Sequence, residues 1–341
     1  MLGVEFFPAI FYFGLLFFVP KSPRWLYTKN RADQAKNVLE RIHGSEQADI
    51  EIHSIEKNIE ESEVSNEVSI RELFAPALRF IMIVGVTLGV LQQVTGINAI
   101  YFYATSIFKQ TGIGTDAAFS SGVLLSFTTV IFTLLAIYLI DRMGRRPLLL
   151  VGMSGIAISL LLCAYSFNQA TYQLSAAEIN SFENIDTYKL AEFQDVTYES
   201  DVAFKNDIKE AIGNQVYALN EGAILEAAIN MNATLVLIGI LGFIACFAFS
   251  LGPVMWVMLS EIFPNRYRGL AIGVIGFINS FSSWLIQQIF PWEISNLGSA
   301  LTFFIYGLIA TVGVLLFIKI LPETKGKSLE QLENELVKSN A

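Results

Sequence analysis

Gln92-Gln93-Val94-Thr95-Gly96-Ile97-Asn98 puts three carboxamides and a helix-weakening glycine inside a stretch, 79–103, that otherwise reads as a membrane span. An amide left unpaired in an apolar medium costs roughly 2–7 kcal/mol, depending on the reference state. Three of them in seven residues therefore require a polar cavity, packing against other polar helix surfaces, or a bound hydroxyl-rich ligand. The last of these is what a transporter needs.

Working outward, the 341 residues are 53% hydrophobic, 13% aromatic and 16% charged, a balance that excludes a soluble chain. Apolar stretches fall at about 2–19, 79–103, 117–140, 148–167, 234–258, 270–290 and 300–318, most of them near the ~20 residues that a helix needs to cross the hydrocarbon. Seven spans and a location in the cell (inner or plasma) membrane are expected. Cys163 and Cys246 both lie within spans, have no metal-ligand spacing and read as small apolar residues. No metal or cofactor is expected, and a chain of formal charge −9 offers no nucleic-acid surface.

Lysine and arginine set topology more than net charge does. Lys21, Arg24, Lys29 and Arg31 follow the first span, Arg142, Arg145 and Arg146 the third, Arg266 and Arg268 the fifth, and Lys319, Lys325 and Lys327 the last. These positions predict an N-terminus outside, a C-terminus in the cytosol and the connection 168–232 on the outer face. That connection carries eleven acidic residues against three lysines. A seven-span retinal protein is excluded, because its Schiff base needs a lysine deep in a helix and Lys319 sits at a span's end. The first stretch runs into Pro20 and basic residues with no small-residue cleavage site, so it is expected to stay as a span.

Between the first two spans, Asn30 is placed to cap a helix on Ala32, Ala35, Leu39 and Ile42 that stops at Gly44. Ile52, Ile55 and Ile59 predict a second helix. Ser69 with Glu72 forms a capping-box pattern before a third, which stops near Pro76. In 168–232, Ala203, Ile208, Ala211, Ile212, Gln215 and Val216 predict at least one helix, and decoration of the outer mouth is favoured over a lid or docking surface.

Five separated motifs resemble the sugar porters of the major facilitator superfamily, in family order. They are Pro20-Lys21-Ser22-Pro23-Arg24-Trp25-Leu26, with lysine in place of the family's glutamate; the 92–98 segment itself; Asp141-Arg142-Met143-Gly144-Arg145-Arg146; Gly252-Pro253-Val254-Met255-Trp256 continuing to Glu261-Ile262-Phe263-Pro264; and Pro322-Glu323-Thr324-Lys325-Gly326. The resemblance implies an all-α polytopic membrane protein whose seven helices correspond to the last seven of a twelve-helix fold. Residues 1–20 would then be the last helix of a missing N-terminal half and 21–78 a cytosolic helical linker domain. Residues 79–320 would be the C-terminal six-helix half, with 168–232 as an acidic insertion, and 321–341 a cytosolic tail. Met1 would be an internal methionine of a longer protein, and the missing half would be needed to complete the cavity.

On a straight helix Gln92 and Gln93 point about 100° apart, and Asn98 lies roughly 120–140° from either, so convergence needs a bend at Thr95-Gly96. Amides both donate and accept, which suits neutral hydroxyls without the desolvation cost of a charge. Without the resemblance, interhelical hydrogen bonding is the better reading of these amides. The resemblance instead implies sugar contacts at Gln92, Gln93 and Asn98, with Trp256 as an apolar face for the ring and Asn279 on the cavity side of the next span. It also implies a cytosolic gate of ion pairs among Asp141, Arg142, Arg145, Arg146 and Glu261, beside the topological role of the basic residues. Thr129 and Phe102 stand where many relatives carry Asn and Tyr, and each loses hydrogen-bonding capacity. The expected activity is passage of a monosaccharide, hexose or pentose, by alternating access without covalent chemistry, so the chain is expected not to be an enzyme. Uniport and proton symport both stay open, and the alternative is a transport-inactive fragment or a transporter-like sugar sensor.

Overall fold

The computed structural model describes residues 6–44, 48, 52, 69–111, 115–182, 185–327 and 329–336. It forms two compact units, Met1–Ser69 and Ile70–Ala341.

The first unit contains α1 (Phe6–Leu16), α2 (Pro23–Thr28) and α3 (Ala32–His43). Within the expected span at 2–19, the described residues form the 11-residue helix α1, about 16 Å of rise, and residues 2–5 of that stretch lie outside the described residues. Proline at the first position of α2 costs no helical hydrogen bond, because that N–H would have no partner in the helix. In α3 the expected face is half realised: Ala35 and Leu39 are buried, whereas Ile42 is exposed. Asn30 does not cap this helix; its φ is +55°, a left-handed conformation that asparagine tolerates, and Arg31 occupies the cap position. Gly44, φ +85°, ends the helix as expected. The helix expected on Ile52, Ile55 and Ile59 lies outside the described residues except for Ile52.

The second unit opens on two 3-10 turns, Ile70–Phe74 and Pro76–Leu78, in place of the expected third helix. Six helical stretches long and apolar enough to cross a membrane follow among the described residues. Two of them are broken: α4 (Arg79–Val94) with α5 (Ile97–Lys109), and α12 (Ala233–Phe249) with α13 (Leu251–Ile262). The others are α6 (Thr115–Met143), α7 (Arg145–Asn168), α14 (Asn265–Asn296) and α15 (Gly298–Ile320), and α16 (Leu329–Leu336) follows near the end. Among the described residues the chain thus carries six such segments, and the seventh stretch that hydropathy predicts, 2–19, is only partly described.

Helix α7 packs against α15 and α12, α12 against α6, α14 against α4, and α5 against α6. Apolar tails surround such helices as readily as other helices do, so close approach depends on small residues. A Cβ at Gly152 would collide with Ser250, one at Gly155 with Cys246, and one at Gly239 with Cys163. Both cysteines are free and serve as compact packing groups at the α7–α12 contact. Leu88, Ile156, Phe243, Met255, Leu259 and Ile275 form the interior. Val123, Phe127, Val130, Leu134 and Ile137 line an exposed apolar face of α6 at spacings of four and three, which suits contact with lipid or further helices.

Segment 168–232 is an ordered body with its own core. Its base is closed by a two-stranded antiparallel ribbon, β1 (Thr171–Tyr172) with β2 (Ile229–Asn230), in register Thr171 to Asn230. Four helices, α8 (Ala176–Ser181), α9 (Thr187–Leu190), α10 (Asp201–Ile212) and α11 (Asn214–Ala228), bury Tyr172, Leu190, Phe204, Ile208 and Ile224 between them. A capping box starts α8: the Glu178 N–H donates to Ser175 Oγ at 3.3 Å, and the Ser175 N–H to Glu178 Oε2 at 2.6 Å.

Candidate functional site

Convergence of the amides rests on one residue. Gly96 adopts φ +88°, ψ 14°, a left-handed conformation that costs other residues about 1–2 kcal/mol, and it ends α4 while opening α5. A Cβ there would lie 3.1 Å from the buried ring of Tyr306 on α15, so packing reinforces the backbone requirement. The re-aimed α5 brings Asn98 back over α4, where its Nδ2 donates to Gln93 Oε1 at 2.9 Å.

From that bend a polar network runs across four helices. Gln92 Nε2 donates to the Leu251 carbonyl at 3.0 Å, at the break between α12 and α13. Gln93 Nε2 donates to Asn279 Oδ1 at 3.2 Å and Gln92 Oε1 at 3.3 Å. Asn279 Nδ2 donates to Gln92 Oε1 at 2.7 Å and the Gly89 carbonyl at 2.8 Å. Asn98 Nδ2 also donates to Ser283 Oγ at 2.7 Å, and Gln287 Nε2 to the same oxygen at 3.0 Å. Gln92, Gln93 and Asn279 are buried, whereas Asn98 is half-buried.

A cavity of about 280 Å³ opens at this network, lined by Gln93, Asn98, Asn279, Ser280, Ser283, Trp284, Gln287 and Gln288. All of its polar groups are neutral, and Trp284 supplies an aromatic face. Three expected residues, Gln93, Asn98 and Asn279, therefore meet in one pocket. Gln92 sits behind them as a tie to α13, and Trp256, half-exposed, lies over the Gly276 position of α14 and does not line the cavity. Sequence reasoning did not single out Ser280, Ser283, Trp284, Gln287 or Gln288 as site residues. The available signal was the run Asn279, Ser283, Gln287, which repeats every four residues on one face of α14. Thr129 and Tyr101 hydrogen-bond through their hydroxyls, and Phe102 points outward, fully clear of the pocket.

The basic end of the helices carries a second cluster. Arg145 forks onto Glu261, Nη2 to Oε1 at 2.7 Å and Nε to Oε2 at 3.1 Å, and also reaches Asp141 at 3.1 Å. Thr324 Oγ1 donates to Glu261 Oε2 at 2.6 Å, which ties the segment after α15 to the same carboxylate. Glu323 accepts from the Arg145 and Arg146 backbone N–H groups at 3.1 and 3.2 Å, neutralising the start of α7. Arg146 Nη2 donates to the Ile318 carbonyl at 2.8 Å, whereas the Arg142 guanidinium stacks over Tyr138 and stays out of the carboxylate pairs described. Asp141, Arg145 and Glu261 thus form one unit, with Thr324 and Glu323 as members that the motif reading had not singled out as site residues.

The Sugar (and other) transporter family matches residues 1–183 and 211–336, which together are most of the chain. The chain belongs to this family. Among characterised members, the arabinose–proton symporter of Bacillus subtilis is 31% identical over 338 residues, covering 99% of this chain and 60% of that protein. The D-xylose–proton symporter of Escherichia coli K12 is 28% identical over 98% of this chain and 56% of its own length, and the major myo-inositol transporter of B. subtilis 30% over 98% and 59%. A proton:xylose symporter solved with 6-bromo-6-deoxy-D-glucose superposes with a TM-score of 0.67 at 27% identity, over 98% of this chain and 58% of that one. The inward-open xylose transporter of E. coli gives 0.56 at 26% identity, over 97% and 55%. This family member therefore spans roughly 60% of the length of the curated relatives it matches. The stretch 184–210, between the two matched ranges, falls in the 168–232 body.

Proposed function

We propose that the chain forms one wall of the pathway of a monosaccharide transporter that works by alternating access, with sugar:proton symport as the coupled form. The observation that carries this reading is the 280 Å³ cavity at the Gly96 break, lined by amides, hydroxyls and one tryptophan with no charged group. A sugar offers neutral donors and acceptors around an apolar ring, and this lining answers both. The amides hydrogen-bond one another across the cavity edge, so a sugar would exchange with those bonds instead of desolvating ions. Gln93, Asn98 and Asn279 are assigned to hydroxyl contact, Gln92 to holding them, and Trp256 to the wider pathway. The cavity is open on the Trp284 side, so the pathway needs a facing set of helices to close it.

The Arg145–Glu261–Asp141 unit is assigned to the gate at the opposite end. Its contacts tie α7, α13 and the segment after α15 and would shift the conformational balance only if they exist in one state. We place this end in the cytosol and the acidic 168–232 body outside, because lysine and arginine gather near the former.

The test is calorimetric titration of the purified chain in lipid nanodiscs with arabinose, xylose and myo-inositol. Binding of at least one is expected, weakened about tenfold or more by Gln93→Ala or Asn98→Ala, since each removes a hydrogen-bonding group worth roughly 1.4 kcal/mol or more to a ligand. Unaltered affinity in both variants would refute the site. In sealed proteoliposomes, sugar flux with alkalinisation of the outer medium would mark symport, flux without it uniport, and binding without flux a sensor.

A further inference from the structure

The α5 half-helix is held at both ends. At one end is the Gly96 break; at the other is a compact junction of four side chains, none of them in the amide pocket. Gln110, the C-cap of α5, accepts at Oε1 from Ser299 Oγ at 2.7 Å and from Lys205 Nζ at 3.4 Å. Ser299 belongs to the first turn of α15, and its N–H donates to Asp201 Oδ2 at 3.1 Å. Asp201 opens α10 and pairs with Lys205 one turn on, at 3.4 Å. The Lys205 side chain is 5% exposed and that of Asp201 12%. Gly298, φ +81°, leaves room for the Asp201 carboxylate, because a Cβ there would collide with Oδ1.

A buried ion pair adds little net stability, since desolvation offsets its attraction, but removing one partner strands the other. Such a device fixes geometry. Here it fixes the end of α5, because the Gln110 side chain is bonded to both Lys205 and Ser299. Beside the same half-helix lies a cavity of about 160 Å³, whose lining includes Tyr103, Ser106, Gln110, Lys205, Glu221 and Phe290. A helix hinged at one end and flanked by a cavity rather than by packed side chains has somewhere to swing once its other end is released.

We propose that Asp201 and Lys205 are positioning residues: through Gln110 and Ser299 they hold α5, and with it Asn98, in register with the amide pocket. The 168–232 body is on this view the fixed post of a movable half-helix, and sugar affinity depends on groups that never touch sugar. The inference rests on the proposed reading of the amide pocket for its affinity consequence, but not for its structural one.

The experiment uses the full chain in nanodiscs and follows backbone hydrogen exchange together with titration of xylose, arabinose and myo-inositol. Lys205→Met and, from the α5 side, Gln110→Leu are each expected to speed exchange in 100–109 by about tenfold, while α7 exchanges at the wild-type rate. Lys205→Arg, which keeps the charge, should restore slow exchange, and Ser299→Ala gives a smaller perturbation if either larger change prevents folding. Half-saturation for the bound sugar should rise about fivefold or more in the two disrupting variants and return in Lys205→Arg. Unchanged exchange in 100–109 in both disrupting variants overturns the proposal, as does acceleration spread equally over α7. A wild-type chain that binds none of the three sugars yet shows the local exchange effect removes the sugar reading and leaves the positioning role of Asp201 and Lys205 standing.

Discussion

Replacing Asn279 with leucine tests whether the amide network joins the helices as drawn. The side chain is buried, donates to Gly89 O at 2.8 Å and Gln92 Oε1 at 2.7 Å, and accepts from Gln93 Nε2 at 3.2 Å, so three interhelical bonds disappear at nearly constant volume. Interhelical hydrogen bonds in membrane proteins average about 0.6 kcal/mol each, because the unfolded chain in lipid also finds partners, and their sum here is about 2 kcal/mol. That corresponds to roughly a 30-fold rise in the unfolding constant. Unfolding in mixed detergent micelles, followed by circular dichroism, measures it. Gln92→Leu and the double variant complete a cycle in which a coupling of about 0.5–1.5 kcal/mol is expected, since the two residues bond directly. A loss below about 0.5 kcal/mol, with strict additivity in the cycle, would refute the claim that Asn279 holds α14 to α4.

Gly96→Ala should destabilise by about 1–2 kcal/mol from the left-handed backbone alone, more if the Tyr306 ring cannot yield. Wild-type stability in that variant would mean the bend tolerates a side chain. Arg145→Lys keeps the charge but loses the fork onto Glu261, and a loss of about 1.5–3 kcal/mol in the same unfolding assay is expected; no loss would reduce the pair to simple charge attraction. In the 168–232 body, burial first and then the hydrogen bond to Asp207 push Tyr198 up to about 12, and burial followed by the Asp201 charge raises Tyr172. The folded state holds these protons more tightly than the unfolded one, so their contribution to stability is whole below the ordinary tyrosine value near 10 and declines as pH rises from there toward 12. Tyrosinate absorbance titrating at the ordinary value in the folded chain would contradict that burial.

Six membrane-length stretches were legible because hydrocarbon imposes one rule, about twenty apolar residues per crossing, and α4–α5, α6, α7, α12–α13, α14 and α15 obey it. Of the seventh predicted stretch, 2–19, residues 2–5 lie outside the described residues, so it is not counted with these six. Asn30 misled because asparagine suits both a cap and a left-handed turn, and only the backbone decides between them.

From the sequence alone came the membrane setting, the family resemblance that the comparisons turned into membership, the need for a bend at Gly96, and Gln93, Asn98 and Asn279 as candidates. These depend on local chemistry: an amide, a glycine or a charge means the same thing whatever packs against it. Only the tertiary structure separated Gln92 and Trp256 from the cavity lining, added Ser283, Trp284 and Gln287 to it, and linked Asp201 to Gln110 and Ser299. Each of those outcomes depends on which helix faces which, and facing is set by the mutual packing of small residues and broken helices far apart in the chain.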